Sequence, residues 1–163
     1  MDIATLISPD SIGCDVHARS KKHALDMLSE LLAKTAGVLT AGEIFDSLIQ
    51  RERLGCTALG GAVAIPHGRI TGIDSSLGAF LRLTEQVDFD AADGEPVDLI
   101  FGLLIPEDCG ELELSKLKEL ATALSDPGFQ QTLREAHDVD QVYAVIAESS
   151  SLQTTVQPIV EVR

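Results

Sequence analysis

The sequence predicts an α/β (α+β) fold, a three-layer sandwich in which helices cover both faces of a central mixed β-sheet. The first observation is a nearly continuous apolar stretch from Val97 to Ile105, which is typical of a central strand buried on both faces. The second is that segments with helical spacing can supply both covering layers. The third is that strands and helices alternate irregularly, which favours a mixed sheet over strict βαβ units.

The first elements are predicted to be a strand and an amphipathic helix. Residues 2–16 suggest a short helical turn followed by a strand near Ile12 to Val16. From Ser20 the apolar residues recur at intervals of three and four, which predicts a helix with Ser20 as its N-cap and Gly37 as its stop. We expect Lys21 on the water-facing side of this helix.

A second helix is predicted to begin at Thr40. The residues Thr40 to Glu43 have the form of a capping box, in which the threonine and glutamate side chains satisfy main-chain N–H groups. The helix should end near Gly55, so Arg51 and Arg53 lie in its last turn. The helix dipole favours cations there whether or not an anion binds nearby.

The later elements complete the three layers. A strand is predicted from Ser76 to Leu83, and Val87 to Phe89 could add a separate short strand. Val97 to Ile105 is the central strand. Three further helices are predicted at Glu111 to Ser125, Phe129 to Ala136 and Asp140 to Glu148.

The length and composition favour one domain. The chain has 163 residues, of which 45% are hydrophobic, which is enough for one substantial core and too little for two. We predict a single domain over residues 1–148 and a tail over residues 149–163 that is disordered or weakly extended. Because Val156 to Val162 could add to a sheet edge between two copies, the sequence leaves a homodimer open.

The charge excludes two classes of partner. Twelve Lys and Arg residues against 26 Asp and Glu residues give a net charge of −14, and such a domain repels nucleic acid and anionic membranes. The longest strongly apolar run, Leu99 to Ile105, is far shorter than the roughly 20 residues that span a bilayer, so we expect no direct membrane insertion. No secretory signal is visible.

The cysteines and histidines give no sign of a metal site. Cys14, Cys56 and Cys109 are odd in number and far apart, which is more typical of reduced thiols in a cytoplasmic protein than of disulfides or metal ligands. The histidines at positions 17, 23 and 137 lack metal-ligand spacing. We therefore expect a cytoplasmic protein with no metal or other cofactor.

The stretch from Arg51 to Arg69 departs from the pattern of ordinary core and surface. An apolar run, Ala62 to Ile65, predicts a short strand that Pro66 ends, and this strand would deliver His67 to an open loop. Gly68 keeps the exit from that loop free of a Cβ atom.

These residue types suit a phosphoryl group. The imidazole of His67 can be an unprotonated nucleophile near neutral pH. The glycine-containing loop from Gly55 to Gly61 can turn main-chain N–H groups toward an anion, Arg51 can donate two hydrogen bonds to phosphate, and Thr57 adds a hydroxyl donor. The alternative is that His67 is a hydrogen-bonded loop residue with no chemical role.

The same residues resemble a known signature. Arg51-Glu52, Leu54 to Thr57, Leu59-Gly60 and Ala64 to Gly68 are similar to the active site of the enzyme IIA family of the phosphoenolpyruvate:sugar phosphotransferase system. The mannitol/fructose type fits, and its nitrogen-regulatory branch fits most closely. This resemblance covers the chain to about residue 148, implies the three-layer fold, and implies that His67 accepts a phosphoryl group from an HPr-like histidine phosphocarrier protein.

One residue departs from the family in a position that matters. In relatives a second histidine begins the helix after the central strand, and that position falls on Glu113 here. A carboxylate about 5 Å from a phosphoryl charge costs roughly 3 kcal/mol at an effective dielectric near 20. Lys116, Arg51 or Arg69 could offset this cost. The hypothesis is that transfer survives but the phosphorylated state is less stable; the alternative is a solvated Glu113–Lys116 pair.

The glycine loop also departs from the family. Cys56 stands where a serine is usual, and a thiol is the weaker donor. Ala58 and Ala62 stand where glycines are usual, so we expect that neither position requires a positive φ.

Three functions remain open. The first is a regulatory phosphocarrier in which Arg51 and Thr57 hold the phosphoryl oxygens on His67 and which signals to targets such as sensor kinases or ion transporters. Because the sequence carries no fused membrane or sugar-binding portion, a stand-alone regulator is favoured over transport. The second is a phosphorylation-independent protein-binding regulator in which Glu113 imitates the phosphorylated state. The third, a Cys56/His67 hydrolase, lacks an orienting third residue.

Overall fold

The computed structural model describes residues 3–149 and confirms a mixed sheet as the middle layer. Its strands are β1 (Ile12–Val16), β2 (Ala58–Gly60), β3 (Val63–Ala64), β4 (His67–Ile70), β5 (Leu77–Val87) and β6 (Val97–Pro106). They lie in the order β1–β5–β6–β3–β2, and β4 also pairs with β6. The β5–β6 and β2–β3 pairs are antiparallel, whereas β1–β5, β3–β6 and β4–β6 are parallel.

Helices cover both faces of the sheet, as predicted. They are α1 (Lys21–Ala36), α2 (Ala41–Leu54), α3 (Glu111–Leu124), α4 (Pro127–Glu135) and α5 (139–149), and short 3-10 helices occupy Ile3–Leu6 and Pro9–Ser11. One buried apolar cluster packs α1 and α2 against the sheet, and a second packs α3, α4 and α5 against the opposite face. Strand β6 contributes alternate residues to both clusters, since Leu99 and Phe101 lie in one and Ile100 and Leu104 in the other.

The helix starts follow the sequence signals. The Ser20 hydroxyl accepts a hydrogen bond from the His23 N–H at 3.1 Å, and the Thr40 hydroxyl accepts from the Glu43 N–H at 3.1 Å. In a full capping box the glutamate side chain accepts from the main-chain N–H of the N-cap residue. Here the Glu43 carboxylate accepts from the Thr40 hydroxyl at 3.1 Å. Both N-caps therefore form with the predicted residues.

Two sequence expectations about these elements are wrong. Val87 ends strand β5 and does not start a separate strand; the pairing of β5 with β6 continues to Val87↔Val97 across an irregularity after Arg82. Lys21 does not face water alone, because its ammonium group lies 3.0 Å from the buried carboxylate of Glu52 on α2. Sequence periodicity placed Lys21 on the polar side of α1 but could not reveal a partner on another helix.

The end of the domain is helical to residue 149. The tail expected at residues 149–163, and the sheet-edge pairing expected of Val156 to Val162, lie outside the described residues apart from residue 149 itself. Across residues 3–149, none of the helices combines the length and the apolar character needed to cross a membrane.

A buried arginine joins the sheet to α4. The guanidinium of Arg82 on β5 donates to the carbonyl of Leu133 at 3.0 Å and to that of Ala136. It also lies 3.1 Å from the carboxylate of Asp15. Carbonyls at a helix C-terminus have no partner within the helix, so this cation satisfies them and complements the helix dipole.

We predict that Arg82→Met destabilises the protein. Methionine fills a similar volume but leaves the α4 carbonyls buried without donors, so the free energy of unfolding should fall by about 2–4 kcal/mol. Chemical denaturation measures this change. The matched control is Lys118→Met on the exposed face of α3, which should change stability by less than about 0.5 kcal/mol. A loss below about 1 kcal/mol in Arg82→Met would show that the α4 carbonyls find other donors.

Candidate phosphoryl-acceptor site

The candidate site lies where a strand beside β6 is interrupted. Strands β3 and β4 both pair in parallel with β6, with Val63 opposite Leu99 and His67 opposite Leu103. Pro66 has no N–H group to donate to the sheet, but its carbonyl accepts from the Leu103 N–H at 3.0 Å. His67 is therefore the first residue of β4, and the expectation that it lies in an open loop is wrong.

Gly68 has a packing role. A Cβ atom at this position would collide with the hydroxyl and the main chain of Ser47 on α2. The glycine therefore allows α2 to pack closely against β4. This close approach keeps the last turn of α2 near His67.

His67 has one ring nitrogen engaged and one available. Its Nδ1 lies 2.9 Å from the carbonyl oxygen of Ile65, and because a carbonyl can only accept, Nδ1 carries the proton. In the neutral ring Nε2 is then unprotonated. The ring is half-buried, and His67 lies opposite Leu103, which belongs to the apolar cluster under α3, α4 and α5. The geometry thus presents one nucleophilic nitrogen at the edge of the sheet.

The surroundings of His67 keep the ring neutral. Burial is the largest effect and lowers the pKa of His67 from its ordinary value near 6.5; the Ile65 hydrogen bond raises it, the Arg51 charge lowers it, and the Glu52 charge raises it. The net shift is downward. At neutral pH the imidazole is consequently unprotonated at Nε2 and able to attack an electrophile.

Arg51 lies where the sequence placed it, in the last turn of α2. One guanidinium nitrogen donates to the Gly55 carbonyl at 3.0 Å, which ties the arginine to the loop that follows the helix. Arg51 follows Ser47 by one helical turn, and Ser47 packs against Gly68, the residue after His67. The charge of Arg51 lowers the pKa of His67. A guanidinium carries five N–H donors, and the bond to Gly55 leaves donors for an anion.

Thr57 does not offer the free hydroxyl donor that the sequence suggested. It is buried, and its hydroxyl donates to Glu52 Oε2 at 2.7 Å. Its main-chain N–H donates to Glu52 Oε1 at 3.0 Å. A buried carboxylate requires such donors. The Thr57 hydroxyl therefore donates its hydrogen bond to Glu52 and not to a phosphoryl oxygen, as the sequence had suggested.

Glu52 is the residue that sequence reasoning missed. It forms part of the Arg51-Glu52 pair in the signature, but no role was assigned to it. The available signal was its spacing, because Ile44, Leu48 and Glu52 recur every four residues along α2 and all three are buried. An acidic residue on a buried helix stripe requires partners, and here these are Lys21 and Thr57.

Glu113 is engaged by its own neighbours. Its carboxylate lies 2.8 Å from the Lys116 ammonium and accepts from the Ser76 hydroxyl at 2.6 Å. Burial raises the pKa of Glu113, but the hydrogen bonds from Lys116 and Ser76 and the charge of Lys116 lower it, and the net shift is downward. The charges that shift the pKa of His67 are those of Arg51 and Glu52, and Glu113 is not among them. The predicted Glu113–Lys116 pair is present, and it is half-buried where the alternative interpretation expected it to be solvated.

The loop between α2 and β3 corrects one expectation about its alanines. Ala62 has a φ of 68° and Gly61 a φ of 66°, so both central residues of the β2–β3 turn are left-handed. Two-residue hairpin turns of this kind match the twist of the strands, which explains why Ala62 adopts a conformation that favours glycine. Ala58 lies in β2 and has no positive φ.

The Cys56 thiol donates to the Phe89 carbonyl at 2.9 Å.

No metal-binding cluster is present in the described part of the chain. Within residues 3–149, His, Cys, Asp and Glu side chains do not form a group of three or more that could hold a metal ion.

The chain is similar to a known family over nearly all of its described length. The family profile described as phosphoenolpyruvate-dependent sugar phosphotransferase system, EIIA 2, matches residues 5–149. A nitrogen regulatory protein of Bradyrhizobium diazoefficiens is 41% identical over 149 residues, which cover 90% of this chain and 95% of the relative.

Solved structures support the same similarity. The crystal structure of nitrogen regulatory protein IIA-Ntr from Neisseria meningitidis superposes with a TM-score of 0.83 at 38% identity, covering 88% of this chain and 98% of that one. The crystal structure of IIA mannitol from Escherichia coli gives a TM-score of 0.71 at 23% identity, covering 86% and 99%. The second likeness concerns the fold alone.

We predict that His67 titrates below its ordinary pKa with the proton on Nδ1. Long-range ¹H–¹⁵N NMR spectra should show a neutral Nδ1–H tautomer at pH 7 and a midpoint below about 6.5. Because the folded state then binds this proton less tightly than the unfolded chain, the contribution of His67 to stability is complete above about pH 6.5 and declines as the pH falls toward the folded pKa. His67→Asn identifies the resonances. A midpoint at or above 6.5, or a proton on Nε2, would contradict the prediction.

Proposed function

Because the chain belongs to the EIIA 2 family of the phosphoenolpyruvate-dependent sugar phosphotransferase system, we propose that it is a regulatory phosphocarrier that accepts a phosphoryl group on Nε2 of His67. The observation that carries this proposal is the hydrogen bond from Nδ1 to the Ile65 carbonyl, which leaves Nε2 as the free nucleophile. The donor is an HPr-like histidine phosphocarrier protein. The enzyme class is a phosphotransferase that works through a phosphohistidine intermediate.

The proposed step needs no proton transfer. A bond forms between Nε2 of His67 and phosphorus while the bond between phosphorus and the histidine nitrogen of the donor breaks. The electron pair of the broken bond stays on the donor's imidazole, and the proton of His67 stays on Nδ1, hydrogen-bonded to the Ile65 carbonyl. Phosphoryl transfer of this kind depends mainly on positioning and on charge stabilisation, and it involves no oxidant, reductant or metal held by the protein.

Arg51 is the proposed stabiliser of the phosphoryl oxygens. Its cation lies near His67, and a guanidinium matches the geometry of phosphate oxygens. Thr57 takes a different place in the proposal from the one first expected, because its hydroxyl is bound to Glu52. We propose that Thr57 supports the site through its main chain, whose N–H donates to Glu52 and whose carbonyl accepts from the Ile65 N–H.

The regulatory part of the proposal rests on the relatives. The matching proteins with 33–41% identity over at least 88% of this chain include several nitrogen regulatory proteins. By analogy we place this protein in the cytoplasm and propose that its phosphorylation state is read by target proteins such as sensor kinases or ion transporters. Transfer onward to a sugar-transport component is the less favoured role.

A phosphorylation-independent binding regulator is the competing function. Its strongest sequence argument was that Glu113 could imitate the charge of a phosphoryl group. The ion pair with Lys116 and the Ser76 hydrogen bond offset that charge locally, so the argument loses its basis. The experiment below nevertheless includes this function as an outcome.

We predict that the protein gains one phosphoryl group on His67. Intact mass spectrometry after incubation with phosphoenolpyruvate, enzyme I and a histidine phosphocarrier protein should show this gain in the wild type and not in His67→Ala. A control variant, Cys14→Ser, should behave as the wild type because Cys14 is a half-buried residue of β1, at the other end of the strand order from β3. Absence of the gain with a cognate donor and a working positive control would favour the phosphorylation-independent regulator.

We further predict that Lys116 protects the phosphorylated state. Lys116→Met leaves the Glu113 carboxylate without its cation. Glu113 does not shift the pKa of the unphosphorylated ring, but the phosphoryl oxygens extend beyond Nε2 and carry negative charge of their own. The added repulsion should therefore shorten the lifetime of phosphorylated His67 about fivefold, which corresponds to about 1 kcal/mol. The double variant Glu113→Gln with Lys116→Met should restore the lifetime, and Lys118→Met should not alter it. An unchanged lifetime in Lys116→Met would mean that Glu113 lies too far from the phosphoryl group to matter.

A further inference from the structure

A series of hydrogen bonds connects helix α1 to the imidazole of His67. The Lys21 ammonium lies 3.0 Å from Glu52, whose carboxylate accepts from the Thr57 N–H at 3.0 Å. The Thr57 carbonyl accepts from the Ile65 N–H at 3.1 Å. The Ile65 carbonyl accepts from Nδ1 of His67 at 2.9 Å. Every link joins residues from different elements or from the loops between them.

The carboxylate of Glu52 is buried and fully engaged by its neighbours. The side chain of Glu52 is 2% exposed, and both of its oxygens accept hydrogen bonds from Thr57. A carboxylate buried to this extent is costly unless it is fully paired, so its partners are held in one arrangement. Thr57 is accordingly fixed at two points, through its N–H and its hydroxyl.

The N–H of Ile65 is held by Thr57, next to the β2–β3 pairing, and not by β6. The pairing of β3 with β6 ends at Ala64, and that of β4 with β6 starts at His67. Between them, the Ile65 N–H donates to Thr57 rather than to β6. Pro66 restricts Ile65 to an extended conformation. The position of Thr57 and this restriction together direct the Ile65 carbonyl, which sets the tautomer of His67.

We propose that Glu52 is a positioning residue for His67, acting through Thr57 and Ile65 to hold the imidazole with Nδ1 bound and Nε2 directed at the phosphoryl donor. This inference rests on the proposed function for its effect on transfer. Its structural part, the control of the tautomer, stands independently. The role of Lys21 is to supply the countercharge that allows the carboxylate to be buried.

The alternative role for the Lys21–Glu52 pair is to stabilise the packing of α1 against α2. The two roles separate if the charges are removed while the hydrogen-bond acceptor for Thr57 is kept. Replacing a buried ion pair with neutral residues of similar size is often nearly neutral in stability. Two double variants provide the comparison: K21M/E52Q keeps an amide oxygen for the Thr57 N–H, and K21M/E52M removes every acceptor.

The test measures three properties of both double variants, the wild type and Arg82→Met, which controls for general destabilisation. These are the rate of phosphorylation of His67, its tautomer by long-range ¹H–¹⁵N NMR, and the free energy of unfolding. All rates are measured where each variant is fully folded. We expect K21M/E52M to lose about 10- to 100-fold in rate and to show a mixture of tautomers, because misplaced reacting groups cost about this much. K21M/E52Q and Arg82→Met should remain close to the wild type in rate and tautomer.

Two results would overturn the inference. One is a wild-type rate and tautomer in K21M/E52M, which would reduce the pair to a helix-packing contact. The other is an equal loss in both double variants, which would assign the effect to the charge and not to the hold on Thr57. If the wild type itself accepts no phosphoryl group, the proposed function fails, and the tautomer comparison alone decides whether Glu52 positions His67.

Discussion

The hydrogen bond between Nδ1 of His67 and the Ile65 carbonyl is the interaction on which the proposed chemistry of this protein depends. An imidazole with both nitrogens free exchanges its proton between them, and only part of the population then presents a given nitrogen as a nucleophile. Here the carbonyl fixes the proton on Nδ1. The carbonyl is available because Pro66 interrupts the strand beside β6 and leaves Ile65 outside the regular pairing. A break in secondary structure thus produces the defined tautomer.

The three-layer fold supplies the rigid surroundings that this bond requires. Strand β6 is buried on both faces and pairs with β5 on one side and with β3 and β4 on the other. Helix α2 packs closely on β4 at Gly68, which places the end of α2 beside His67. Because the core of each face is built from Leu, Ile, Val, Phe and Ala, the polar groups gather at the strand ends, and the site lies there.

The sequence was sufficient to predict most of the fold, and it singled out His67 as the candidate acceptor that the proposed function retains. The central strand and the starts of α1 and α2 follow from apolar periodicity and from N-cap residues, which are local signals. The partners of the site residues are different, because they come from distant parts of the chain. Ser76 reaches Glu113 across 37 positions, and Lys21 meets Glu52 between two helices. The positive φ of Ala62 was also missed, since the hairpin geometry imposes it against the preference of the residue.

Adjacent residues on α2 show how one helix end can serve two opposite requirements. Successive side chains on a helix point about 100° apart, so Glu52 faces the core while Arg51 faces the loop and the site. Their charges act on His67 in opposite directions, and burial decides the result. Arg51 alone would favour the neutral imidazole and attract a phosphoryl group, but its bond to the Gly55 carbonyl would leave Thr57 without an anchor. Glu52 provides that anchor, and because burial outweighs its charge, it does so without making the imidazole a cation at neutral pH.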